Sequence, residues 1–196
     1  EKAEPTNIYR SNVAFKEVRP INYIQETYLQ AIKDNDITFG VGSAGTGKTY
    51  VAGFYAASEL YHKRVDSIIL TRPNVETGRS LGFLPGTLEE KNAPYLQPFD
   101  DVFKKALGPG FYEYALKSKT INPQPLGFMR GMTFENCIVL ADEMQNATKE
   151  EMKMILSRIG KNCKMIFSGD TEQADIPDSG LADATRRLEG IPGIEV

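Results

Sequence analysis

The sequence has no tryptophan, one histidine (His62) and two cysteines (Cys137 and Cys163) in 196 residues. So few histidines and cysteines exclude a zinc site with the usual ligand spacing, and we expect any metal to arrive with a phosphate ligand. Each cysteine borders an apolar segment that resembles a core strand, which favours buried free thiols over a disulfide. A reducing compartment fits this pattern, so we expect a cytoplasmic protein.

Long hydrophobic runs and a strong charge of either sign are also missing. No apolar stretch approaches the ~18 residues that a membrane span requires, and the start has no signal-peptide pattern. The formal net charge of −3 excludes a strongly basic protein that coats nucleic acid by charge alone. We expect no membrane partner, and any contact with a polynucleotide has to be a local groove.

Short apolar runs alternate with helical patterns along the chain. The spacing of apolar residues predicts helices over residues 22–33, 48–61 and 148–159. The apolar runs that predict strands are residues 37–41, 67–71, 137–141 and 164–168. Strands that are apolar throughout and separated by helices indicate a mostly parallel sheet buried on both faces. We therefore expect one three-layer α/β domain over residues 1–196.

Residues 73–125 differ in composition from the rest of the chain. Seven of the eleven prolines lie there, together with glycines and aromatic residues. We interpret this stretch as a loop-rich insertion with a short helix near residues 99–107. Its lysines could bind a single strand among the aromatics, but we favour a solvated face over a small aromatic core. These lysines are Lys104, Lys105, Lys117 and Lys119.

A glycine-rich segment after the first predicted strand matches the phosphate-loop pattern G-x-x-x-x-G-K-[ST]. Its residues are Gly42, Ser43, Ala44, Gly45, Thr46, Gly47, Lys48 and Thr49. The backbone N–H groups of such a loop, with the helix that follows, surround phosphate oxygens. We expect Lys48 to reach the β and γ phosphates of ATP and Thr49 to offer its hydroxyl to Mg²⁺. The alternative is a glycine-rich turn that binds nothing, but strand, loop and helix occur in the order that binding requires.

Acidic residues follow the predicted strand at residues 137–141. Asp142 is placed to hold the water shell of Mg²⁺, because ligands bind at the carboxyl ends of parallel strands. Glu143 is a candidate general base for the attacking water, which a pure nucleotide binder does not need. The alternative is that this pair only caps the helix that starts near Thr148. Gln173, after the next strand, is a candidate sensor of the γ-phosphate, with a mere turn as its alternative.

Several segments together resemble the PhoH family, which is similar to the first motor domain of superfamily 1 helicases. They are the phosphate loop, Thr71-Arg72-Pro73-Asn74-Val75-Glu76, Leu81-Gly82-Phe83-Leu84-Pro85-Gly86, Met129-Arg130-Gly131, Asp142-Glu143-Met144-Gln145-Asn146 and Ser168-Gly169-Asp170. The resemblance runs from about Asn22 to the end of the chain. It implies a RecA-like P-loop NTPase in which Gln25 contacts adenine and Gln173 matches the glutamine of the third helicase motif. Arg72, Arg130 and Asp170 are tentative site residues because they fall in family motifs, and a surface salt bridge is the alternative role of the arginines.

We therefore predict a Mg²⁺-dependent ATPase in which Lys48 and an arginine of a neighbouring subunit neutralise the transition-state charge. Candidates for that arginine are Arg158, Arg186 and Arg187. One motor domain rarely grips a strand alone, so single-stranded RNA or DNA as partner implies a homo-oligomer such as a hexameric ring. A nucleotide-gated binding module with slow hydrolysis stays open. A small-molecule kinase is disfavoured by Glu143 and by the lack of an arginine-rich lid.

Overall fold

A computed structural model describes residue 15, residues 17–73 and residues 87–196 of the chain, without the side chains of residues 88 and 89. The part of the family pattern at residues 74–86 lies outside the described residues. The α-helices within them are α1 (Tyr23–Asp34), α2 (Lys48–Tyr61), α3 (Leu88–Leu96), α4 (Asp100–Leu107), α5 (Pro109–Lys117), α6 (Lys149–Leu156) and α7 (Gly180–Leu188). The strands are β1 (Ile37–Val41), β2 (Ser67–Thr71), β3 (Ile121–Pro123), β4 (Cys137–Ala141), β5 (Cys163–Gly169) and β6 (Ile194–Glu195).

These strands form one sheet in the order β3-β2-β4-β5-β1-β6, and every neighbouring pair is parallel. The prediction of a mostly parallel α/β fold is confirmed. The four predicted strands are β1, β2, β4 and β5, and only β5 is longer than expected. The two edge strands β3 and β6 were not predicted, because three and two residues are too short for a periodicity signal. The order places β5 between the strand before the phosphate loop and the strand before the acidic pair.

Helices cover both faces of the sheet. Ile138 and Leu140 of β4 belong to a core shared with α1, α2, α4 and α5. Val139 and Ala141 of the same strand point the other way, into a core shared with α6 and α7. Each fully buried large side chain contributes ~1.5–3 kcal/mol. The two cores explain why the central strands are mostly apolar on both faces, and they confirm the three-layer architecture.

The described part of the insertion is more helical than the composition suggested. It contains α3, α4 and α5, and Phe99, Phe103 and Tyr112 are buried in the core that lies against α2. The helix predicted near residues 99–107 is confirmed as α4. The prolines concealed α5 and α3, and α3 has Pro94 in its interior. Pro98 lies in the first turn of a 3₁₀ helix and Pro109 in the first turn of α5.

The two cysteines lie at the amino ends of neighbouring strands. Cys137 of β4 pairs in register with Cys163 of β5. Both thiols are buried and free, with their Sγ atoms 3.8 Å apart. The prediction of buried free thiols is confirmed. As for membranes, none of the helices within the described residues has both the length and the apolar character needed to cross one.

Gly180 lets α7 begin directly against the turn after the acidic pair. Its N–H donates to Ala147 O at 2.8 Å. A Cβ added at Gly180 would lie 2.3 Å from Thr148 O, which is a backbone atom and cannot rotate away. We expect Gly180→Ala to lower the free energy of unfolding by roughly 1–3 kcal/mol, measured by urea denaturation.

The matched control for Gly180→Ala is Gly127→Ala, because a Cβ there would meet nothing within 4 Å. The control should change the unfolding free energy by less than about 0.5 kcal/mol. Equal stability of the two variants would contradict the close approach of α7.

Candidate functional site

The predicted site residues lie at the carboxyl edge of three adjacent strands. The phosphate loop follows β1, Asp142 follows β4, and Asp170 follows β5. Two hydrogen bonds connect these strand ends: Gly42 N donates to Gly169 O at 3.1 Å, and Ser168 Oγ donates to Asp142 Oδ1 at 2.8 Å. The fold therefore places the loop and the acidic pair on the same edge, where ligands of parallel sheets bind.

The phosphate loop leads into α2 through Gly47, which has a φ of 90° and offers no side chain to cap the helix. The first N–H groups of α2 thus lack a side-chain acceptor, which is the arrangement that attracts an anion. Lys48 Nζ donates to the carbonyl of Gly42 and, at 2.8 Å, to Ser43 O. Thr46 Oγ1 also donates to Ser43 O, at 3.0 Å. The side chains of Lys48 and Thr46 therefore both donate to carbonyl groups within the loop. The Lys48 ammonium group and the backbone N–H groups at the start of α2 are donors of the kind that bind a phosphate chain.

Gln25 lies against the back of this loop. Its Nε2 donates to Thr46 O at 3.3 Å, and its Oε1 accepts from Ile21 N at 3.1 Å. The residue is only 5% exposed. Both polar ends of the amide are thus engaged with backbone groups, one of them in the loop. The structure gives Gln25 a supporting position there, while the adenine contact implied by the family resemblance stays a prediction.

Tyr28, one turn after Gln25 on α1, is a residue that the sequence did not single out. Its ring atoms come within 2.9 Å of the place that a Cβ on Gly40 would take. Its hydroxyl is buried and has no hydrogen-bond partner among the described residues. Burial, and then the negative charge of Asp142, raise the pKa of Tyr28, so this hydroxyl keeps its proton at neutral pH. The sequence feature that could have pointed to Tyr28 was Gly40, a glycine within the mostly apolar strand β1.

The acidic pair follows β4 in a tight turn. Asp142 N donates to Thr71 O at 3.0 Å, and Glu143 adopts the left-handed conformation with a φ of 55°. A non-glycine residue in that conformation costs about 1–3 kcal/mol and is held by its surroundings. The helix after this turn is capped by Thr148, which forms a capping box with Glu151. The acidic pair is therefore not the helix cap, and that alternative is wrong.

The loop after β5 is fastened to the turn after β4. Asp170 N donates to Gln145 Oε1 at 3.1 Å, and Asp175 N donates to Asn146 Oδ1 at 2.7 Å. Gln173, the predicted sensor, lies between these two points in a 3₁₀ turn, and its side chain is exposed. Gln145 and Asn146 were quoted in the family pattern but not predicted as site residues. Only the folded structure shows that Gln145 and Asn146 connect the turn after β4 to the loop after β5.

The tentative arginines are dispersed. Arg72 Nη1 donates to Pro94 O at 3.1 Å and so connects the end of β2 to α3. Arg130 is exposed after a 3₁₀ helix, Leu126–Met129. Arg158 lies at the amino edge of the sheet, where Phe134 N donates to Arg158 O at 2.9 Å. The structure does not bring these three side chains together with Lys48.

Four of the other candidate cations, Arg186, Arg187, Lys104 and Lys117, are paired with carboxylates. Arg187 and Arg186 both bond to Asp183, at 3.0 and 2.8 Å, and they hold the pKa of Asp183 below its usual value. In the insertion, Lys104 pairs with Asp100 at 2.6 Å and Lys117 with Glu113 at 3.0 Å. Exposed pairs of this kind contribute ~0–1 kcal/mol. The aromatic rings beneath these lysines are mostly buried in the core, which leaves little ring surface for stacking a base.

Comparison with known proteins adds the family. A family model described as PhoH-like protein matches residues 17–196. The PhoH-like protein of Bacillus subtilis (strain 168) is 46% identical over 188 residues, which is 94% of this chain and 59% of that protein. Protein PhoH of Escherichia coli (strain K12) is 45% identical over 173 residues, 86% of this chain and 49% of that protein. The chain thus spans about half of the length of these curated relatives.

A solved structure is also similar, at a much lower level. The helicase domain of Pyrococcus furiosus Hef aligns with 88% of this chain and 36% of that chain, with 14% identity and a TM-score of 0.37. A similarity this low supports no statement about activity.

The position of Gln25 yields a prediction that needs no nucleotide. Gln25→Met keeps the volume of the side chain but leaves Ile21 N and Thr46 O without their partner. We expect the free energy of unfolding to fall by ~1–3 kcal/mol in nucleotide-free protein, measured by urea denaturation. Gln30→Met, on the exposed side of the same helix, should change it by less than about 0.5 kcal/mol. If both variants match the wild type, Gln25 does not support the loop.

Proposed function

Since this chain belongs to the PhoH family, we propose that it binds ATP with Mg²⁺ and hydrolyses it. One observation carries the proposal. An uncapped phosphate loop and two carboxylates, Asp142 and Glu143, lie at the same edge of a parallel sheet, connected through β5. The loop supplies donors for phosphate, and the carboxylates supply a metal ligand and a base. The chain covers about half of its relatives, so the activity of a whole PhoH protein is part of the proposal.

Lys48 is the residue that we assign to the triphosphate. Its ammonium group contacts the carbonyls of Gly42 and Ser43, and no carboxylate pairs with it among the described residues. Exchanging these neutral acceptors for charged phosphate oxygens strengthens the hydrogen bonds that Lys48 makes. Thr49, at the start of α2, and Asp142 would hold the magnesium ion. When bound, the ion neutralises part of the charge on the phosphates.

Glu143 favours hydrolysis over binding alone. We assign it to orient the attacking water and take its proton as the water oxygen bonds to the γ-phosphorus. The bond from the γ-phosphorus to the bridging oxygen breaks in the same reaction, and the products are ADP and phosphate. A nucleotide-gated binding module has no use for a base at this point. A kinase would need to exclude the water that Glu143 activates.

We also propose that the site is completed by an arginine of a second subunit, in a homo-oligomeric ring. Contacts of a head-to-tail ring join two different surfaces of the chain. Arg158 fits such a contact, because it lies at the amino edge of the sheet, remote from the phosphate loop of its own subunit. Arg186 and Arg187 would first have to leave Asp183. Arg158 is therefore the preferred candidate.

A second candidate function, the coupling of hydrolysis to single-stranded RNA or DNA, is favoured by Phe128. This ring is 74% exposed, whereas Leu126 and Met129 beside it are 1% and 0% exposed. The buried neighbours fix the short 3₁₀ helix and present the ring to solvent next to exposed Arg130. A fixed aromatic ring can stack on a base, and a nearby arginine can bind a phosphate. This surface suits a strand better than the paired lysines of the insertion do.

The assignment of Glu143 predicts a separation of binding from turnover. Glu143→Gln keeps the shape of the side chain and removes the base, so it should bind ATP as the wild type does while releasing phosphate at least ~100-fold more slowly. Phosphate release and the binding of a fluorescent ATP analogue are measured on the same preparations. Lys48→Ala is the companion variant, in which binding itself should be lost. Near wild-type turnover in Glu143→Gln would show that another group activates water.

The assignment of Phe128 predicts a change in strand affinity. Phosphate release is measured alone, with single-stranded RNA and with single-stranded DNA, at increasing strand concentration. Phe128→Ala should raise the half-stimulating concentration ~10-fold, since stacking one base is worth ~1–3 kcal/mol. Lys117→Ala, on the insertion, should leave that concentration unchanged. A wild type that no polynucleotide stimulates would remove the coupling proposal and leave the ATPase proposal standing.

A further inference from the structure

One buried amide joins the turn after β4 to the loop after β5. Gln145 Nε2 donates to Glu143 Oε2 at 2.6 Å, and Gln145 Oε1 accepts from Asp170 N at 3.1 Å. The residue is 3% exposed. Both functional ends of the amide are therefore used, one on the proposed general base and the other on the backbone of the neighbouring strand end.

The close packing around this amide leaves it little freedom. A Cβ added to Gly169 would lie 2.5 Å from Gln145 Oε1. The same loop is held further along by Asn146, whose Nδ2 donates to Asp175 Oδ2 at 3.3 Å. Because the carbonyl and amino groups of an amide share one carbon, the Glu143 carboxylate cannot shift relative to Asp170 without breaking one of the two bonds.

Glu143 depends on this amide for its position. No lysine or arginine forms an ion pair with Glu143 among the residues that the structure describes. The backbone of Glu143 is in the left-handed conformation, so the direction of its side chain is not set by a regular helix or strand. The Gln145 amide is thus the group that fixes where the carboxylate points.

We propose that Gln145 is a positioning residue that holds Glu143 for attack by water and couples it to the loop Asp170–Gln173. This inference rests on the proposed ATPase function. The amide occupies Oε2 of Glu143 and leaves Oε1 to accept the proton of the attacking water. A shift of the loop, which carries Gln173, is transmitted through Gln145 to that carboxylate. Contact of Gln173 with the γ-phosphate would in this way determine whether the base is in place.

Two variants of Gln145 separate positioning from simple anchoring of the loop. Gln145→Glu keeps an acceptor for Asp170 N but replaces the donor to Glu143 by a repelling carboxylate. Gln145→Met keeps the approximate volume and removes both bonds. If Gln145 only anchors the loop, Gln145→Glu should resemble the wild type. If it positions the base, both variants should lose activity.

We expect kcat for phosphate release to fall ~10-fold or more in both variants, with KM for ATP changed less than about 2-fold. Burial and the neighbouring Glu143 carboxylate should raise the pKa of the carboxyl group introduced by Gln145→Glu. Lowering the pH from about 8 to about 6 should then add a proton between the two carboxylates and restore a donor, so the ratio of Gln145→Glu to wild-type kcat should rise. The ratio for Gln145→Met should stay flat. Asp142 and Asp170, the other carboxylates that follow these strand ends, are present in every variant.

The matched control is Gln30→Glu. Gln30 Nε2 also donates to a carboxylate, that of Asp34 at 2.9 Å, but on the exposed face of α1. The same change of amide to carboxylate there should leave kcat unchanged. Thermal unfolding and the binding of a fluorescent ATP analogue are measured for each variant. If Gln145→Glu does not fold, kcat and KM are compared between the neutral variant Gln145→Met and the wild type.

Each outcome has a distinct meaning. Wild-type kcat in either Gln145 variant would overturn the positioning role while leaving the ATPase proposal intact. An equal fall in kcat and in ATP affinity would show a collapsed site and would also overturn it. A wild-type protein that binds ATP but releases no phosphate would overturn the proposed function, and the positioning role with it.

Discussion

The parallel pairing of β5 with both β1 and β4 is the constraint on which the site depends. Val41 pairs with Gly169 in one ladder, and Ala141 pairs with Phe167 in the other. The three strands therefore end within about two residues of one another, and the segments that follow them meet. A shift of β5 by one residue would move each of its side chains to the opposite face of the sheet. It would also increase the separation between the phosphate loop and the acidic pair.

This edge of the sheet is held by polar contacts as well as by apolar packing. Ala141 at the end of β4, and Met144 and Ala147 in the turn after it, are buried in the core shared with α6 and α7. Ser168, Gln145 and Asn146 each connect two of the segments that follow β4 and β5. Such bonds are directional, so they fix carboxylates more closely than apolar contacts could.

Features of the fold and the site could be predicted from the sequence where they depend on residues close together in the chain. The phosphate loop, the four longer strands and the carboxylates that follow them depend on spacing within a few residues. The capping box of Thr148 and Glu151 is equally local, although it was not predicted from the sequence. Gln145 could not be recognised in this way, since its partner Asp170 is 25 residues away and meets it only through β5. Of the helices in the insertion, α4 has no proline and was predicted, whereas α3 and α5 were concealed by prolines whose position in each helix is known only from the structure.

The charges at the strand ends would favour a substrate that arrives with a metal ion, as the proposed function requires. Lys48 is the cation of the phosphate loop, whereas Asp142, Glu143 and Asp170 place three carboxylates after the neighbouring strands. The triphosphate of ATP carries several negative charges, so without a cation it would be repelled by these carboxylates. Magnesium reverses this, because it binds phosphate oxygens and carboxylates at once. The acidic edge would therefore weaken the binding of metal-free ATP and favour the magnesium complex, which is the form that can be hydrolysed.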